Sequence, residues 1–398
     1  VSVPNPFEQL AVSDLRRRSS LKWSLFEPDV LPLWVAEMDA PLAEPVVRVL
    51  TDAAVRGDVG YPYGPAYAEA FADFAARRWG FDGVEVTRTA LVPDVMNGVR
   101  EAIRLVTGPG DAVVVSPPVY PPFFAFVAHA ERRVVEAPLG ADGRLDLDAL
   151  EIAFDAATRA PGTRGSSTGG RRRAAYVLCN PHNPTGVAHT RSELEAVAAL
   201  AERYGVRVVA DEIHGPLVLS GATFVPFLSV EGAESAFVVT SASKAWNLAG
   251  AKAGLLIAGP GAVADLARLP EVVAHGASQL GVVAHTAALR DGGPWLDAAI
   301  GGLEGTRSLL ADLLATRLPQ VRWRRSEATY LAWLDVSALD LGGEHPEGPA
   351  AEILERGRVA LNSGVPFGTG GAGHVRLNYA TSAGVLTEAV ERVAALVD

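Results

Sequence analysis

Ala174-Ala-Tyr-Val-Leu-Cys179 is an unbroken apolar run that stops at Asn180-Pro-His-Asn-Pro-Thr-Gly186. Ser192–Tyr204 follows, with Leu194, Val197, Ala198 and Ala201 on one helical face. Ser192 and Glu195 make a capping-box pattern at its start. Val206-Arg-Val-Val-Ala210 then returns to β-branched sequence, and Asp211-Glu-Ile-His214 comes directly after it. Continuous apolar strands separated by an amphipathic helix belong in a parallel sheet covered on both faces. The same rhythm continues on either side in Ala112–Ser116, Ala236–Thr240 and Gly254–Ala258. The expected fold class is α/β with a mainly parallel central sheet. Ligands of such sheets sit beyond the carboxyl ends of the strands, so functional residues should follow these runs.

The ends differ. Residues 1–45 are rich in proline and tryptophan. After about Arg290 come a long helical pattern (Leu303–Leu318), strands at Tyr330–Asp335 and Val375–Tyr379, and a closing helix at Val385–Val397. This predicts a large domain over 46–289 and a smaller α+β domain built from an N-terminal arm (1–45) and residues 290–398, as expected of 398 residues that exceed one simple core. Pro161–Arg173, with glycines, serines and three adjacent arginines, reads as a solvated, mobile loop.

Apolar residues make up 49% and charged residues 20%, the balance of a soluble globular protein. A formal net charge of −11 repels phosphate backbones and argues against nucleic acid as a partner. The single cysteine, Cys179, excludes an internal disulfide and fits a reducing compartment. Val1–Leu10 has no apolar stretch of signal-peptide length, and no segment has the length of a membrane span. A cytoplasmic protein without membrane contact is expected.

Four sites follow the strands. Ser241-Ala-Ser-Lys244 places an amine just past a buried run, where an ammonium is costly. An imine with an aldehyde removes that charge and creates an electrophile, although the pattern alone is better read as a surface lysine after a strand. Asp211 needs a cationic partner such as a protonated pyridine nitrogen. A helix cap is the plainer alternative. A metal pair with Glu212 or His214 is discounted, because no second cluster of His, Asp or Glu stands out. Asn183 sits in a rigid Asn-Pro turn that can aim its amide, or it is an ordinary turn residue. Val92-Pro-Asp-Val-Met96 opens a helix whose first N–H groups suit a phosphate, as any helix start would.

Their joint order resembles the fold-type I pyridoxal 5′-phosphate (PLP) enzymes of the aminotransferase class I/II superfamily. Within it, the chain is most similar to the MalY/PatB-type cystathionine β-lyases. The resemblance covers nearly the whole chain and rests on Leu31-Pro-Leu-Trp-Val-Ala-Glu-Met-Asp39, Gly60–Gly64, Pro118-Val-Tyr120, Asn180–Gly186, Asp211–His214, Ser241–Asn247, Gly292–Asp297, Thr329-Tyr-Leu-Ala-Trp-Leu-Asp335 and Val375-Arg-Leu-Asn378. It implies that Lys244 carries PLP as an imine and that Asp211 pairs with the pyridine nitrogen. Asn183 bonds the ring oxygen, Tyr120 stacks on the ring, and His214 lies beside it. Ser241, Ser243 and the amides of Asp94, Val95 and Met96 hold the phosphate, with Lys252 as a point charge. Tyr61 reaches the phosphate of a neighbouring subunit, which implies a homodimer with shared sites. Arg376 takes the substrate carboxylate, helped by the Val35–Ala36 backbone, and Tyr330 lines the substrate side.

Three positions depart from the family pattern. Glu37 replaces the usual aspartate, Phe224 stands where a histidine usually precedes Val-Pro, and Lys252 varies between relatives. They leave the cofactor residues intact and bear on substrate preference. Gly368–Gly373 mimics a phosphate loop but precedes a strand and lacks the following lysine, so it reads as a flexible loop near Arg376. Trp34, Trp246 and Trp333 read as core, and His275 and His285 as structural.

The implied chemistry is α,β-elimination from a cysteine S-conjugate such as cystathionine, giving pyruvate, ammonia and a thiol. Lys244 serves first as cofactor carrier and then as the base at Cα; Tyr120 is its catalytic neighbour. An aminotransferase would use the same cofactor residues. A regulatory PLP-fold protein is the third reading, disfavoured because no helix-turn-helix is appended and the catalytic set is complete. Lys244→Ala should abolish both the visible absorbance of the lysine-bound cofactor and steady turnover; retained turnover would refute the assignment of Lys244.

Overall fold

The computed structural model describes residues 3–159, 172–339, 341, 345–346 and 348–397. Of the arginine-bearing stretch expected as a loop, 161–171 lie outside the described residues. Arg172 and Arg173 approach Asp111 at 3.6 and 3.7 Å.

Among the described residues thirteen strands follow one another: β1 (Leu31–Pro32), β2 (Thr89–Val92), β3 (Ala112–Val115), β4 (Arg133–Glu136), β5 (Ala174–Cys179), β6 (Val206–Asp211), β7 (Phe237–Thr240), β8 (Gly254–Ala258), β9 (Arg322–Trp323), β10 (Leu331–Asp335), β11 (Val359–Ala360), β12 (Asn362–Ser363) and β13 (His374–Asn378). Seven form the central sheet in the order β2-β8-β7-β6-β5-β3-β4. The five from β4 to β7 are parallel, while β8 is antiparallel to both β7 and β2. The mainly parallel α/β fold stands, with one reversed strand inside it. The unforeseen strands, β2 and β4, are the sheet's edges. Their side chains are mostly half-exposed or exposed, so they lack the continuous apolar signal of the centre.

Alternation across the strands sorts side chains to two faces. Val113, Val115, Val177, Val209, Val239 and Leu256 pack on one, against Val99, Ala102, Ile103 and Val106 of the helix Val95–Val106. Val114, Tyr176, Leu178, Val208, Ala210 and Val238 face the other, beneath Leu150 and Phe154 of the helix Leu147–Thr158 and Leu194 and Val197 of the helix Arg191–Tyr204. The latter helix corrects an expectation. Its capping box is Thr190 with Glu193, not Ser192 with Glu195. The Thr190 hydroxyl accepts from the Glu193 N–H (3.2 Å), and the Glu193 carboxylate accepts from the Thr190 N–H (2.7 Å).

The second body joins both chain ends. β12, β13, β10 and β9 form an antiparallel sheet, and β1 pairs in parallel with β11. The helices Gly293–Arg317 and Ala383–Ala394 pack together beside it. Among the described residues no helix is long and apolar enough to cross a membrane.

The N-terminal segment is pinned by a buried ion pair. Lys22 Nζ lies 2.9 Å from Asp39 Oδ2, both side chains 1% exposed, and the Trp23 indole donates to Asp39 Oδ1 at 2.7 Å. Removing one partner of such a pair strands the other charge, at a cost of about 3–5 kcal/mol. Lys22→Met should lower the unfolding free energy from denaturant melts by that much, and adding Asp39→Asn, which keeps an acceptor for Trp23, should restore most of it. A single-variant loss below about 1 kcal/mol, the range of an exposed pair, would show that the pair carries little.

Candidate active site

The strand directions assemble the site. β3, β5, β6 and β7 run parallel, so their carboxyl ends share one edge of the sheet, and they are followed there by Tyr120, Asn183, Asp211 and Lys244. β2, antiparallel to β8, ends on that edge too and delivers Asp94. Because β8 is reversed, the residue shortly before its start, Lys252, arrives at the same place.

A cavity of about 260 Å³ opens there. Its walls include Lys244, Asp211, Asn183, Tyr120, His214, Ser243, Lys252, Asp94, Val95, Met96 and Ala36. These were expected at the site from sequence. Arg376 and Tyr330 lie immediately behind. Arg376 donates to Asn183 Oδ1 and to the Trp34 carbonyl, each at 3.1 Å, and the Tyr330 hydroxyl donates to the Ala36 carbonyl at 3.0 Å. Besides Arg376, Tyr330 and Val35, two more expected residues, Ser241 and Tyr61, do not line the cavity. The Ser241 hydroxyl donates to the Ala253 carbonyl (2.7 Å) and accepts from the Ser243 N–H (3.2 Å), so it braces the loop of Lys244. Tyr61 is 86% exposed, with its ring 6.3 Å from that of His275. Phe224 is buried against Trp79, ring centroids 4.7 Å apart. Trp246 is fully buried, and Trp333 stacks on His374 at 5.0 Å. Gly368–Gly373 packs by Gly368 against Pro117 and Phe124. A larger cleft of about 750 Å³, walled by Trp333, His374 and Pro138–Gly143, contains none of the chemistry-bearing residues above.

Missed by sequence reasoning was the way residues 34–38 are held. Every carbonyl of this strap accepts from a side chain. Trp34 O takes Arg376 and Asn362, Val35 O takes Asn378, and Ala36 O takes Lys244 and Tyr330. Glu37 O takes Lys22 and Asn378, and Met38 O takes Asn247 and Arg18. Asn247 also accepts from the Met38 N–H at 2.8 Å and sits at φ 57°, a left-handed conformation asparagine tolerates. The available signal for Asn378 was its place two residues after Arg376, on the same face of a strand.

Burial shapes the titration of the pocket. Lys244 is held down at about 8, by burial first and then by the Arg376 charge, with Glu37 and Asp211 opposing. A neutral amine is therefore within reach near physiological pH. Asp211 is pushed up to about 7 by burial, against one hydrogen bond from the Ile213 N–H. His214 is pushed down to about 3 by burial and the nearby cations, so its ring is neutral, and its buried Nδ1 has no partner. Burial also raises the Cys179 thiol well above its usual range, which keeps it protonated and inert.

These features fit PLP. A buried carboxylate lacking a cation suits a protonated pyridine nitrogen. Asp94 caps the helix Val95–Val106 through the Asn97 N–H (2.9 Å) and holds Lys252 Nζ at 3.1 Å, which leaves a helix start and a lysine facing the cavity, as a phosphate requires. Asn183 spends its oxygen on Arg376, so its amide N–H groups remain to donate to a ring oxygen. Among the described residues no group of three or more His, Cys, Asp or Glu converges as a metal site would.

A lysine-bearing pocket at the carboxyl edge of a mainly parallel sheet, faced by an arginine from a second sheet, defines the class. The chain belongs to the aminotransferase class I and II family, whose model matches residues 48–393, and within it to the group of cystathionine β-lyases typified by PatB and MalY. It is 55% identical to the "Putative cystathionine beta-lyase" of Mycobacterium leprae, over 98% of this chain and 97% of that one. It is 33% identical to "Cystathionine beta-lyase PatB" of Bacillus subtilis, covering 94% and 96%. The crystal structure of a "putative plp-dependent beta-cystathionase" from Corynebacterium diphtheriae superposes with a TM-score of 0.88 at 35% identity, over 98% of both chains.

A native carboxyl pKa near 7 has a sign that can be checked without cofactor. Between about pH 4 and 7 the folded apoprotein holds a proton on Asp211 that the unfolded chain has lost, so raising the pH through that window lowers stability. Asp211→Asn removes this loss. The stability of the apo variant relative to apo wild type, from urea midpoints, should rise between pH 5 and pH 8; a difference independent of pH would show that Asp211 is ionised throughout.

Proposed function

We propose that the protein is a PLP-dependent carbon–sulfur β-lyase that splits cystathionine or related cysteine S-conjugates into pyruvate, ammonia and a thiol. The observation that carries the choice over transamination is the 55% identity, along the whole chain, to a putative cystathionine β-lyase; two aminotransferases are 28% and 26% identical.

PLP, when bound, supplies an electron sink for the carbanion formed at the substrate's Cα. The chain's residues do the rest. Lys244 would link the cofactor and, once the substrate's own amine has displaced it, its freed Nζ would take the Cα proton. Its lowered pKa keeps that nitrogen unprotonated, and the Ala36 carbonyl aims it. Arg376 receives the α-carboxylate through a planar fork that lysine lacks, and its bonds to Asn183 and Trp34 O fix that fork's plane. With PLP bound, Asp211 would hold the pyridine nitrogen's proton, Asn183 would donate to the ring oxygen, and Tyr120 would cover the ring. The helix start at Val95, with Lys252 and Ser243, would hold the phosphate.

The same reading makes the protein a cytoplasmic homodimer, with 46–289 as the cofactor-holding domain and 1–45 with 290–398 as the smaller one. The exposure of Tyr61 (86%) and Tyr63 (100%) on one short segment supports a partner that covers them. Holoenzyme mixed with cystathionine and no keto acid should release pyruvate and free thiol together. Product formed only when a keto acid is added would make the protein an aminotransferase instead.

A further inference from the structure

Arg376 is 3% exposed, and its hydrogen bonds to Asn183 Oδ1 and the Trp34 carbonyl hold the guanidinium by its edge. The face of a guanidinium donates no hydrogen bond and needs another kind of contact. Phe367 supplies it. Arg376 Cζ lies over the Phe367 ring, 5.3 Å from its centroid. A cation within about 6 Å of an aromatic face is attracted by the ring's quadrupole, most strongly where water is excluded. Phe367 is 1% exposed.

Phe367 is itself held on several sides. Trp333, the Cα partner of Arg376 across β10 and β13, packs on it with ring centroids 5.0 Å apart. The Phe367 N–H donates to the Gly364 carbonyl, and the Phe367 carbonyl accepts from the Val119 N–H, both at 2.9 Å. Gly368 follows at φ 86° and ψ −157°, a conformation essentially confined to glycine. A Cβ there would lie 2.7 Å from Phe124 Cζ and 3.0 Å from Pro117 Cβ. The next residue, Thr369, donates its hydroxyl to the Glu136 carboxylate. The glycine segment that mimics a phosphate loop is thus a brace, and it sets an aromatic face against the arginine.

We infer that Phe367 is a positioning residue for the substrate carboxylate: its ring face keeps the Arg376 fork in the plane that receives that group. This rests on PLP at Lys244 and on Arg376 as the carboxylate's partner, and it holds for a lyase and an aminotransferase alike. Leucine would fill much of the same volume without offering a π face. The loss should therefore fall on a ligand's carboxylate and spare its amine.

The test titrates holoenzyme with L-alanine and with ethylamine, which lacks the carboxylate. Neither carries a β-leaving group, so the change in cofactor absorbance gives an apparent Kd without elimination. Losing a desolvated cation–π contact corresponds to roughly a 5- to 30-fold effect. Phe367→Leu should weaken L-alanine by that factor and ethylamine by less than about twofold. Mono-, di- and trifluorophenylalanine in place of Phe367 keep the ring's shape and drain its face of charge stepwise. The Kd for L-alanine should rise with each fluorine, a readout that a purely structural role would leave flat. A flat response to fluorine overturns the inference, whatever leucine does. Equal losses on both amines overturn it too, because Phe367 would then act through the Val119–Tyr120 loop. Wild-type protein that binds ethylamine as tightly as L-alanine refutes Arg376 as the carboxylate's partner, and the inference falls with it.

Discussion

Five consecutive carbonyls, from Trp34 to Met38, carry the arrangement on which the pocket depends. A backbone carbonyl has a fixed position and no titration, so it makes a dependable acceptor in a buried site. Here each accepts from a side chain that belongs to another part of the fold: Arg376 and Asn378 from β13, Tyr330 beside β10, Lys244 and Asn247 from the loop after β7, Lys22 from the arm. The strap is therefore the common reference against which the lysine, the arginine and the floor of the pocket are aligned. Asn378 clasps Val35 and Glu37 at 2.7 Å each, on either side of the Ala36 carbonyl that orients Lys244.

Electrostatics in the pocket follow from bringing like charges out of water together. Burial and the Arg376 charge push Lys244 down to about 8, and burial with both cations leaves His214 neutral. Arg376 itself comes down to about 10, burial being the largest cause. Such an arrangement is unfavourable for folding and useful for chemistry, since it holds one amine ready to lose a proton and one cation ready for a carboxylate.

Much of this was legible in the sequence, for physical reasons. Buried parallel strands announce themselves as continuous apolar runs, and the residue types that follow them, Lys244, Asp211 and Asn183, are expensive to place there without a use. What stayed hidden had no residue-type signature. The strap works through carbonyls, which every residue possesses, so Val35 and Ala36 could be expected at the site only by resemblance. The edge strands β2 and β4 are half-exposed and carry no continuous apolar run to mark them. The cap of the helix at Arg191 was displaced by two residues because Thr190-Arg-Ser-Glu193 and Ser192-Glu-Leu-Glu195 carry the same local pattern, and only geometry separates them.

The strap also sets an order on assembly. Val35 and its clasp Asn378 are 343 positions apart, and Ala36 and Lys244 are 208 apart. The loop between β7 and β8 joins adjacent strands and can form locally, as can the helix at Val95. The Val35 carbonyl meets its side-chain partner only when β13 is in place. Contacts of such separation demand the largest loop closures and form late. The lysine loop and the helix start of the cofactor pocket can therefore form before β13 clasps the strap that runs beside them.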